Sequence, residues 1–262
     1  MCIRDSINIA KKYIKNGDIF QVVPSQRFET KYTGSVLKLY QALRKTNPSP
    51  FMYYFNFPKF KIVGSSPEIL VRLRNKKITI RPIAGTRPRG KTKKLDNKYA
   101  EDLLKDKKEI AEHLMLLDLG RNDIGRVANK SSVKVTSEFE IERYSHVMHI
   151  VSNVEGKVSS DKTAFEALMA GFPAGTVSGA PKIRAMQIID ELENTKRGIY
   201  AGGIGYITSD GEMDTCIALR TGIISNNTLF VQAGGGVVYD SDPNKEYEET
   251  VNKAKALFNA AE

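Results

Sequence analysis

Residues 51–83, FMYYFNFPKFKIVGSSPEILVRLRNKKITIRPI, decide the fold class. Four short segments follow one another here: FMYYFNF, FKIVGSS, EILVRLR and KITIRPI. Each is rich in aromatic and β-branched residues, which is typical of strands, and only tight turns separate them. The stretch therefore predicts a run of short strands in antiparallel sheet.

On both sides of this stretch, helical and strand-like patterns follow without regular alternation. Apolar residues at helical spacing predict a first helix from about Ile7 to Gly17, helices over 35–45, 98–118, 161–170 and 180–193, and a last helix from Asp242-Pro243. Further strands are predicted near 132–141, near 145–157, in a hairpin at Asp210-Gly211 and in TLFVQAGGGVVY. The helix over 98–118 should bury Ile110, Leu114 and Leu117. This order predicts an α+β fold with antiparallel sheets rather than a doubly wound sheet.

Composition indicates an ordinary globular protein. Of 262 residues, 41% are apolar and 27% charged, and no apolar run approaches the ~20 residues of a membrane helix. Cys2 and Cys216 are the only cysteines, so we expect no disulfide framework and a reducing, cytoplasmic location. No linker or repeat is visible, which predicts one domain over 7–262. Residues 1–6, MCIRDS, lead abruptly into a helical pattern and are a candidate non-native scar.

The formal net charge of +10 raises the alternative of a nucleic-acid-binding protein. The lysine runs NKK, KTKK and KDKK lie on predicted loops and helix faces, and aromatic residues are not interleaved with them. No RRM, zinc-finger or helix-turn-helix pattern accompanies the charge. We therefore expect solvated surface lysines, and neither a nucleic-acid nor a membrane partner.

The stretch RPIAGTRPRG, residues 81–90, places arginines on both sides of the small sequence Ala84-Gly85-Thr86. This arrangement suits an anion that comes close to the backbone. A second glycine-rich stretch, QAGGGVV over 232–238, interrupts an apolar strand, and its successive N–H groups could cradle a carboxylate. The alternative there is a bulge at a sheet edge.

Two pairs of glutamates, Glu109 with Glu112 and Glu246 with Glu249, have helical i, i+3 spacing. Two helices that each present such a pair could hold Mg²⁺, which takes one or two protein carboxylates and accepts substrate oxygens. The alternative is that they are exposed glutamates with lysine neighbours. His146 and His149 resemble a metal pair, but on a strand an offset of three directs the rings to opposite faces.

Ten segments of the chain, taken in order, resemble the chorismate-utilising enzymes, and within that family the branch that makes anthranilate. They are GDIFQVVPSQRF, NPSPFMYYF, SSPEIL, RPIAGTRPRG, KEIAEHLMLLDLGRND, YSHVMHIVS, FPAGTVSGAPKIRAMQIIDELE, YAGGIGY, DTCIALRT and VQAGGGVVYDSDPNKEYEETVNKA. The resemblance runs from about Ile7 to Glu262. It implies an α+β sandwich of mostly antiparallel sheets with helices on the outer faces, and an active site between two sheets.

The resemblance implies that the anion is chorismate, which carries two carboxylates. The residues that match the family's substrate cradle are Gly85, Thr86, Tyr200, Arg220, Gly234, Gly235, Gly236 and Lys253. Glu112 and Glu249 match its Mg²⁺ ligands, and Glu109 and Glu246 match partners that act through water. Glu68 matches the general acid, His149 a histidine of the elimination stage, and Thr176 a hydroxyl that lines the pocket. On their own residues, Glu68 could equally be an exposed turn residue and Thr176 a helix cap.

Two positions separate reactions within the family. Isochorismate and salicylate synthases have Lys where this chain has Gln21, and glutamine cannot activate water as that base does. Aminodeoxychorismate synthase typically has Lys in place of Ala84. Gln21 and Ala84 therefore favour ammonia as the nucleophile and anthranilate as the product, in a lyase reaction of tryptophan biosynthesis.

The chain also departs from the family pattern. The tryptophan-binding sequence PYM is PFM here, at Pro50, Phe51 and Met52, and QAGAG is QAGGG. The family's N-terminal half has no counterpart, so we expect a catalytic region alone, with feedback inhibition by tryptophan a property of the full-length protein. No glutaminase pattern is visible, which implies a glutamine amidotransferase subunit as the ammonia source. Aminodeoxychorismate synthase, or an inactive fragment of either enzyme, remains the alternative.

Overall fold

The computed structural model describes residues 2–144 and 147–262 and divides them into two compact units. The first unit comprises the residues up to Glu68, Val177–Ile204 and Cys216–Glu262, and the second comprises Ile69–Thr176 and Gly205–Thr215. The sequence pattern, which shows no linker, predicts one domain. The two units are built from segments that are discontinuous in sequence, so no single linker separates them.

Seven helices and fourteen strands are formed by the described residues. The helices are α1 (Ile3–Lys15), α2 (Val36–Thr46), α3 (Lys93–Lys105), α4 (Lys107–Gly125), α5 (Ala164–Gly171), α6 (Lys182–Leu192) and α7 (Pro243–Ala261). The strands are β1 (Gln21–Val22), β2 (Ser25–Lys31), β3 (Phe51–Asn56), β4 (Lys61–Ser66), β5 (Ile69–Arg74), β6 (Lys77–Ile80), β7 (Ile83–Pro88), β8 (Lys134–Arg143), β9 (Val147–Lys157), β10 (Gly179–Ala180), β11 (Gly203–Ile207), β12 (Met213–Ile217), β13 (Thr221–Ser225) and β14 (Thr228–Gly234). None of these helices is both long and apolar enough to span a membrane.

The first unit is organised around a five-stranded antiparallel sheet in the order β2-β14-β13-β4-β3. Asn226 and Asn227 join β13 to β14, and both have the positive φ that tight hairpin turns require. Helices α2 and α7 cover one face of the sheet with an apolar cluster that includes Leu39, Leu43 and Leu257. The predicted apolar face of the helix over 35–45 is thereby confirmed.

A second apolar cluster in the first unit joins α1 to α6. Ile7 and Ala10 of α1 pack with Ile188 of α6, and the two-stranded sheet β1-β10 lies beside them. Helix α1 begins at Ile3, not near Ile7 as the sequence pattern indicated, and the Ile3 side chain belongs to this cluster.

The second unit contains a seven-stranded sheet in the order β11-β12-β5-β6-β9-β7, with β8 paired to β9 outside that path. The pairings of β9 with β6, β7 and β8 are all antiparallel. Helix α4 packs on β7 and β9, and α5 packs on β5. The predicted α+β class with antiparallel sheets is confirmed.

The prediction of one helix over 98–118 is wrong. Helix α3 ends at Lys105, and Asp106 caps α4 by accepting hydrogen bonds from the backbone N–H groups of Lys108 (3.0 Å) and Glu109 (3.3 Å). The predicted stripe is confirmed at Leu117, which is buried. It is wrong at Leu114, which is 47% exposed, because α4 turns His113 and Leu116 inward. The cap was hard to see because Asp106 stands between lysines that suit a continuous exposed helix.

Candidate active-site residues

A β-bulge in the second unit forms the centre of the basic stretch. Strands β6 and β7 lie along the same edge of β9, and the N–H of Ser152 donates to the carbonyl of Pro82 between them (3.2 Å). The pairing with β9 shifts between Ala84 and Thr86, so Gly85 has no partner of its own. Gly85 has a φ of +73°, a conformation that favours glycine. The chain at Gly85 therefore has a conformation that a residue with a side chain adopts only with strain.

The bulge brings Gly85 and Thr86 against His149. Nδ1 of His149 lies 2.9 Å from the Gly85 carbonyl oxygen and 3.1 Å from the Thr86 hydroxyl. A carbonyl only accepts hydrogen bonds, so Nδ1 carries the proton and donates it to Gly85. In the neutral ring, Nε2 is then the nitrogen that can take up a proton. The structure therefore brings three of the proposed site residues together and sets the histidine tautomer.

The arginines of the basic stretch pair with carboxylates of the protein. Arg87 bonds to Asp102 (2.9 Å), Asp106 (2.8 Å) and Glu109 (3.2 Å), and these ion pairs raise its pKa, with the Asp102 hydrogen bond as the largest cause. The expectation that the charge of Arg87 serves an incoming anion needs correction, because three acidic groups already surround it. The spacing of these acidic residues along 102–109 was a visible signal that the sequence analysis did not use.

The other two arginines are also engaged. Arg81 pairs with Glu142, and Arg89 binds Asp96 at 2.7 Å. Arg143 reaches the same aspartate at 2.9 Å. These hydrogen bonds, with that of Arg89 largest, hold the pKa of Asp96 well below its usual range. The positive charge of the stretch therefore holds β7 to its neighbours.

Of the two glutamates on α4, Glu109 lies beside the bulge. A Cβ built on Gly85 would lie 3.2 Å from Oε2 of Glu109, so a larger residue would press on that carboxylate. Glu112 lies one turn further along α4 and is half-buried. Among residues 2–144 and 147–262, no three His, Cys, Asp or Glu side chains gather closely enough to form a metal cluster by themselves. His146 of the candidate histidine pair lies outside the described residues.

A second group of proposed site residues gathers in the first unit, at the end of β14. The Tyr200 side chain is buried, and its hydroxyl faces the backbone N–H of Gly234. Burial raises the pKa of Tyr200 to about 12. A Cβ on Gly234 would lie 2.8 Å from both this hydroxyl and the Pro24 carbonyl oxygen, so only glycine fits. The N–H of Gly235 donates to the same carbonyl at 3.2 Å, which uses one of the amides expected to cradle a carboxylate.

The C-terminal helix α7 completes this group. Nζ of Lys253 donates to the Gly234 carbonyl (2.9 Å) and pairs with Glu249 (2.6 Å). Oε1 of Glu246 accepts a hydrogen bond from Ser241 (2.8 Å), and its Oε2 would lie 3.1 Å from a Cβ on Gly235. The i, i+3 pair on α7 is therefore held against the glycines by its own helix and the preceding turn.

The contacts of the remaining proposed site residues do not by themselves indicate a role. Glu68 is buried, with its carbonyl bonded to the N–H of Ile217, so it is not the exposed turn residue of the alternative. Gln21 is buried on β1, opposite Ala180. Arg220 has a φ of +47°. Thr176 lies in the 3₁₀ turn Gly175–Val177. Phe51 and Met52 begin β3, directly after Pro50. The roles assigned to these residues stay predictions.

Comparison with known proteins gives these positions a context. The family described as chorismate binding enzyme matches residues 4–259. Anthranilate synthase component 1 of Cereibacter sphaeroides is 64% identical over 257 residues, which are 98% of this chain and 51% of that protein. The protein of the same name from Aquifex aeolicus is 59% identical over 258 residues, 98% of this chain and 52% of that protein.

Solved structures give the same picture. The crystal structure of anthranilate synthase component I from Streptococcus pneumoniae matches with a TM-score of 0.92 at 50% identity, over 97% of this chain and 57% of that chain. The menaquinone-specific isochorismate synthase of Escherichia coli matches with a TM-score of 0.90 at 26% identity, over 99% of this chain and 60% of that chain. The chain spans about half the length of the curated relatives it matches.

Proposed function

The chain belongs to the chorismate binding enzyme family, and on that premise we propose that it converts chorismate and ammonia to anthranilate and pyruvate. The proposal is supported by relatives at 57–64% identity that carry the name anthranilate synthase component 1. This would be the first step of tryptophan biosynthesis. The finer choice of nucleophile and product rests on individual residues of this chain.

The observation that carries the proposal is the Gly85 bulge. Along one strand edge, this bulge lines up Ala84, the Thr86 hydroxyl and the His149 ring, whose Nδ1 is held by the Gly85 carbonyl. Anthranilate formation needs space for ammonia at ring C2, and then a base for the proton that C2 loses as pyruvate leaves. Ala84 leaves such space, and Nε2 of His149 is the base we assign to the elimination. Gln21 has no basic group with which to activate water instead.

The first stage requires an acid. Ammonia adds at C2 while the C4 hydroxyl leaves, and hydroxide leaves far more readily when it is protonated to water. We assign that proton to Glu68, whose side chain is buried. Gly85, Thr86, Tyr200, Arg220, Gly234, Gly235, Gly236 and Lys253 are the proposed substrate-binding residues, and Thr176 lines the pocket.

The acidic residues suit Mg²⁺ by their chemistry. Glu112 and Glu249 each offer hard carboxylate oxygens, which are the protein ligands that Mg²⁺ prefers, and Mg²⁺ takes most of its other ligands from water and substrate. Glu109, held by Arg87, and Glu246, held by Ser241, are the proposed outer partners. When bound, Mg²⁺ would supply positive charge that offsets the substrate carboxylates as the ring rearranges.

The direct test is an assay of the purified chain with chorismate, Mg²⁺ and an ammonium salt. We expect anthranilate, detected by its fluorescence and by mass after chromatography. The chain contains no tryptophan, so protein fluorescence interferes little. Consumption of chorismate with a C4-aminated product, or no reaction at all, would contradict the proposal. Feedback inhibition by tryptophan at Pro50, Phe51 and Met52 remains an expectation for the full-length protein. A cytoplasmic location also remains an expectation.

A further inference from the structure

A buried ion pair lies beside Tyr200 in the first unit. Nη2 of Arg197 is 2.6 Å from Oε1 of Glu193, and the two side chains are only 18% and 7% exposed. Glu193 is the C-cap residue directly after α6, and Arg197 lies in the connection that follows. Glu193 is the last residue of the segment FPAGTVSGAPKIRAMQIIDELE, Arg197 follows it in sequence, and neither has yet been given a role.

The pair joins three segments that are distant in sequence. Arg197 donates from Nε and Nη2 to Glu193, from Nη1 to the carbonyl of Val177 (2.6 Å) and from Nη2 to the carbonyl of Val23 (2.6 Å). Glu193 also accepts from the backbone N–H and the hydroxyl of Ser25, both at 2.8 Å. Such charge-assisted bonds fix geometry strongly, because a buried charge that loses its partner is heavily destabilised.

Two of the groups that this pair fixes touch the glycine-rich end of β14. Pro24, between Val23 and Ser25, accepts the Gly235 N–H, and its carbonyl limits the space at Gly234. The Arg197 guanidinium carbon lies 5.4 Å from the centre of the Tyr200 ring, whose hydroxyl limits the same space from another direction. The position of Tyr200 and that of Pro24 therefore depend on one ion pair.

We infer that Arg197 and Glu193 are positioning residues for substrate binding: they hold the Tyr200 hydroxyl and the Pro24 carbonyl against Gly234 and Gly235. The inference rests on the proposed function, in which Tyr200 and the glycines bind chorismate. Neither residue of the ion pair contacts the substrate. Lysine at position 197 would keep the positive charge but could not make the fork of bonds to Glu193, Val177 and Val23.

The test measures chorismate binding to the full chain by calorimetry, with Mg²⁺ and without ammonium, together with KM and kcat. For Arg197→Lys and Glu193→Gln we expect chorismate to bind at least about tenfold more weakly and KM to rise more than kcat falls, because substrate binding is what is lost. Arg184→Lys is the matched control. Arg184 lies on the same α6 and pairs with Asp18 at 3.1 Å, but at a more exposed position. This control should bind chorismate as the parent does.

A double-mutant cycle separates positioning from plain stabilisation. If Arg197 acts through Tyr200, Arg197→Lys should weaken chorismate binding little further in a chain that already carries Tyr200→Phe. An equal loss of chorismate affinity in the parent and in Tyr200→Phe would overturn the inference. Parent-like binding by both ion-pair variants would overturn it too, as would loss of folding in both, which would assign the pair to stability alone. If the unmodified chain binds no chorismate, the proposed function fails first and the inference with it.

Discussion

At the scale of single residues, the proposed function predicts that the space beside the bulge decides the product. Ala84 is the residue before Gly85 and pairs with Ile150 of β9. Ala84→Lys would put a long amine where, in the proposed reaction, ammonia approaches ring C2. We expect anthranilate formation to fall by about 100-fold, the size of effect that misplacing a reactant can have. Product analysis by chromatography and mass would measure it.

A small substitution at the same position provides the control for that experiment. Ala84→Ser changes the volume little and should keep anthranilate as the product. If Ala84→Lys made anthranilate at the parent rate, Ala84 would not line the site, and the distinction from C4 amination would lose its main support.

Asp96 should make stability depend on pH. Its side chain is held by Arg89, Arg143 and the N–H of Gly90, and its pKa is lowered mainly by Arg89. A lowered pKa in the folded state means that the stabilisation is complete above the unfolded pKa of about 3.9 and is lost as pH falls below it. Asp96→Asn should therefore lower Tm at pH 7, and the gap to the parent should narrow below about pH 4.

The exposed pair of Asp118 with Arg121 serves for comparison, since both side chains are more than half exposed. Asp118→Asn should change Tm little at any pH, because exposed ion pairs contribute little. A Tm gap for Asp96→Asn that stayed constant down to pH 2 would show that the carboxylate charge is not what matters.

Single residues also show how far the sequence could lead. The unusual backbone of Gly85 and its nearness to Thr86 follow from the glycine and from chain adjacency. Its contact with His149 does not, because it depends on the register of β7 against β9, and one residue of slip would turn the histidine to the other face. The i, i+4 spacing of Glu193 and Arg197 is visible in the sequence, but their burial is not, because their backbone partners Val23 and Val177 lie far away in sequence.

At the scale of elements, the contact of α4 with β9 depends on two glycines with opposite requirements. A Cβ on Gly156 of β9 would lie 2.6 Å from Cγ2 of Ile124 and 2.9 Å from Cβ of Ala128. A Cβ on Gly120 of α4 would meet its nearest neighbours at an ordinary 3.5 Å. Gly156→Ala should therefore push the helix off the sheet and destabilise the protein by about 1–3 kcal/mol.

The second substitution should act in the opposite direction. Gly120→Ala should stabilise by roughly 0.5–1 kcal/mol, because alanine is the better helix former and the space exists. Urea unfolding at neutral pH measures both changes. If both substitutions changed the free energy of unfolding equally, the short distance between α4 and Gly156 would not limit how α4 packs on β9.

Elements with a clear apolar face were predictable, and elements that end at a polar cap were not. The face of α2 follows from the spacing of Val36, Leu39 and Leu43, which any helix over that stretch would share. The boundary of α3 and α4 depends on how one carboxylate, that of Asp106, bonds to two backbone N–H groups and to Arg87. That choice is made by tertiary contacts and leaves no periodic pattern.

At the scale of the whole molecule, the chain should use free ammonia and not glutamine. The sequence shows no glutaminase pattern, and of its two cysteines Cys2 is exposed and Cys216 is buried. We therefore expect anthranilate from ammonium salts, with a rate that increases with pH as more NH₃ is present. Glutamine should support no turnover until a separate glutamine amidotransferase subunit is added.

Replacing ammonium with glutamine at equal concentration, in the same assay, tests this directly. Efficient turnover of glutamine by the purified chain alone would contradict it. A matched reaction with glutamine plus an unrelated glutaminase would show whether released ammonia is sufficient, and so whether a dedicated partner is needed for delivery.

The pairing of β2 with β14 has a consequence for synthesis on the ribosome. β2 ends at Lys31, and the strand that it pairs with begins only at Thr228. At ~5–20 residues per second, β2 must wait on the order of 10–40 s for its partner to be made. During that time its backbone is free to pair with other nascent chains. Arg27, Glu29 and Lys31 place a charge at every second position of the strand, which discourages such encounters until the C-terminal residues emerge.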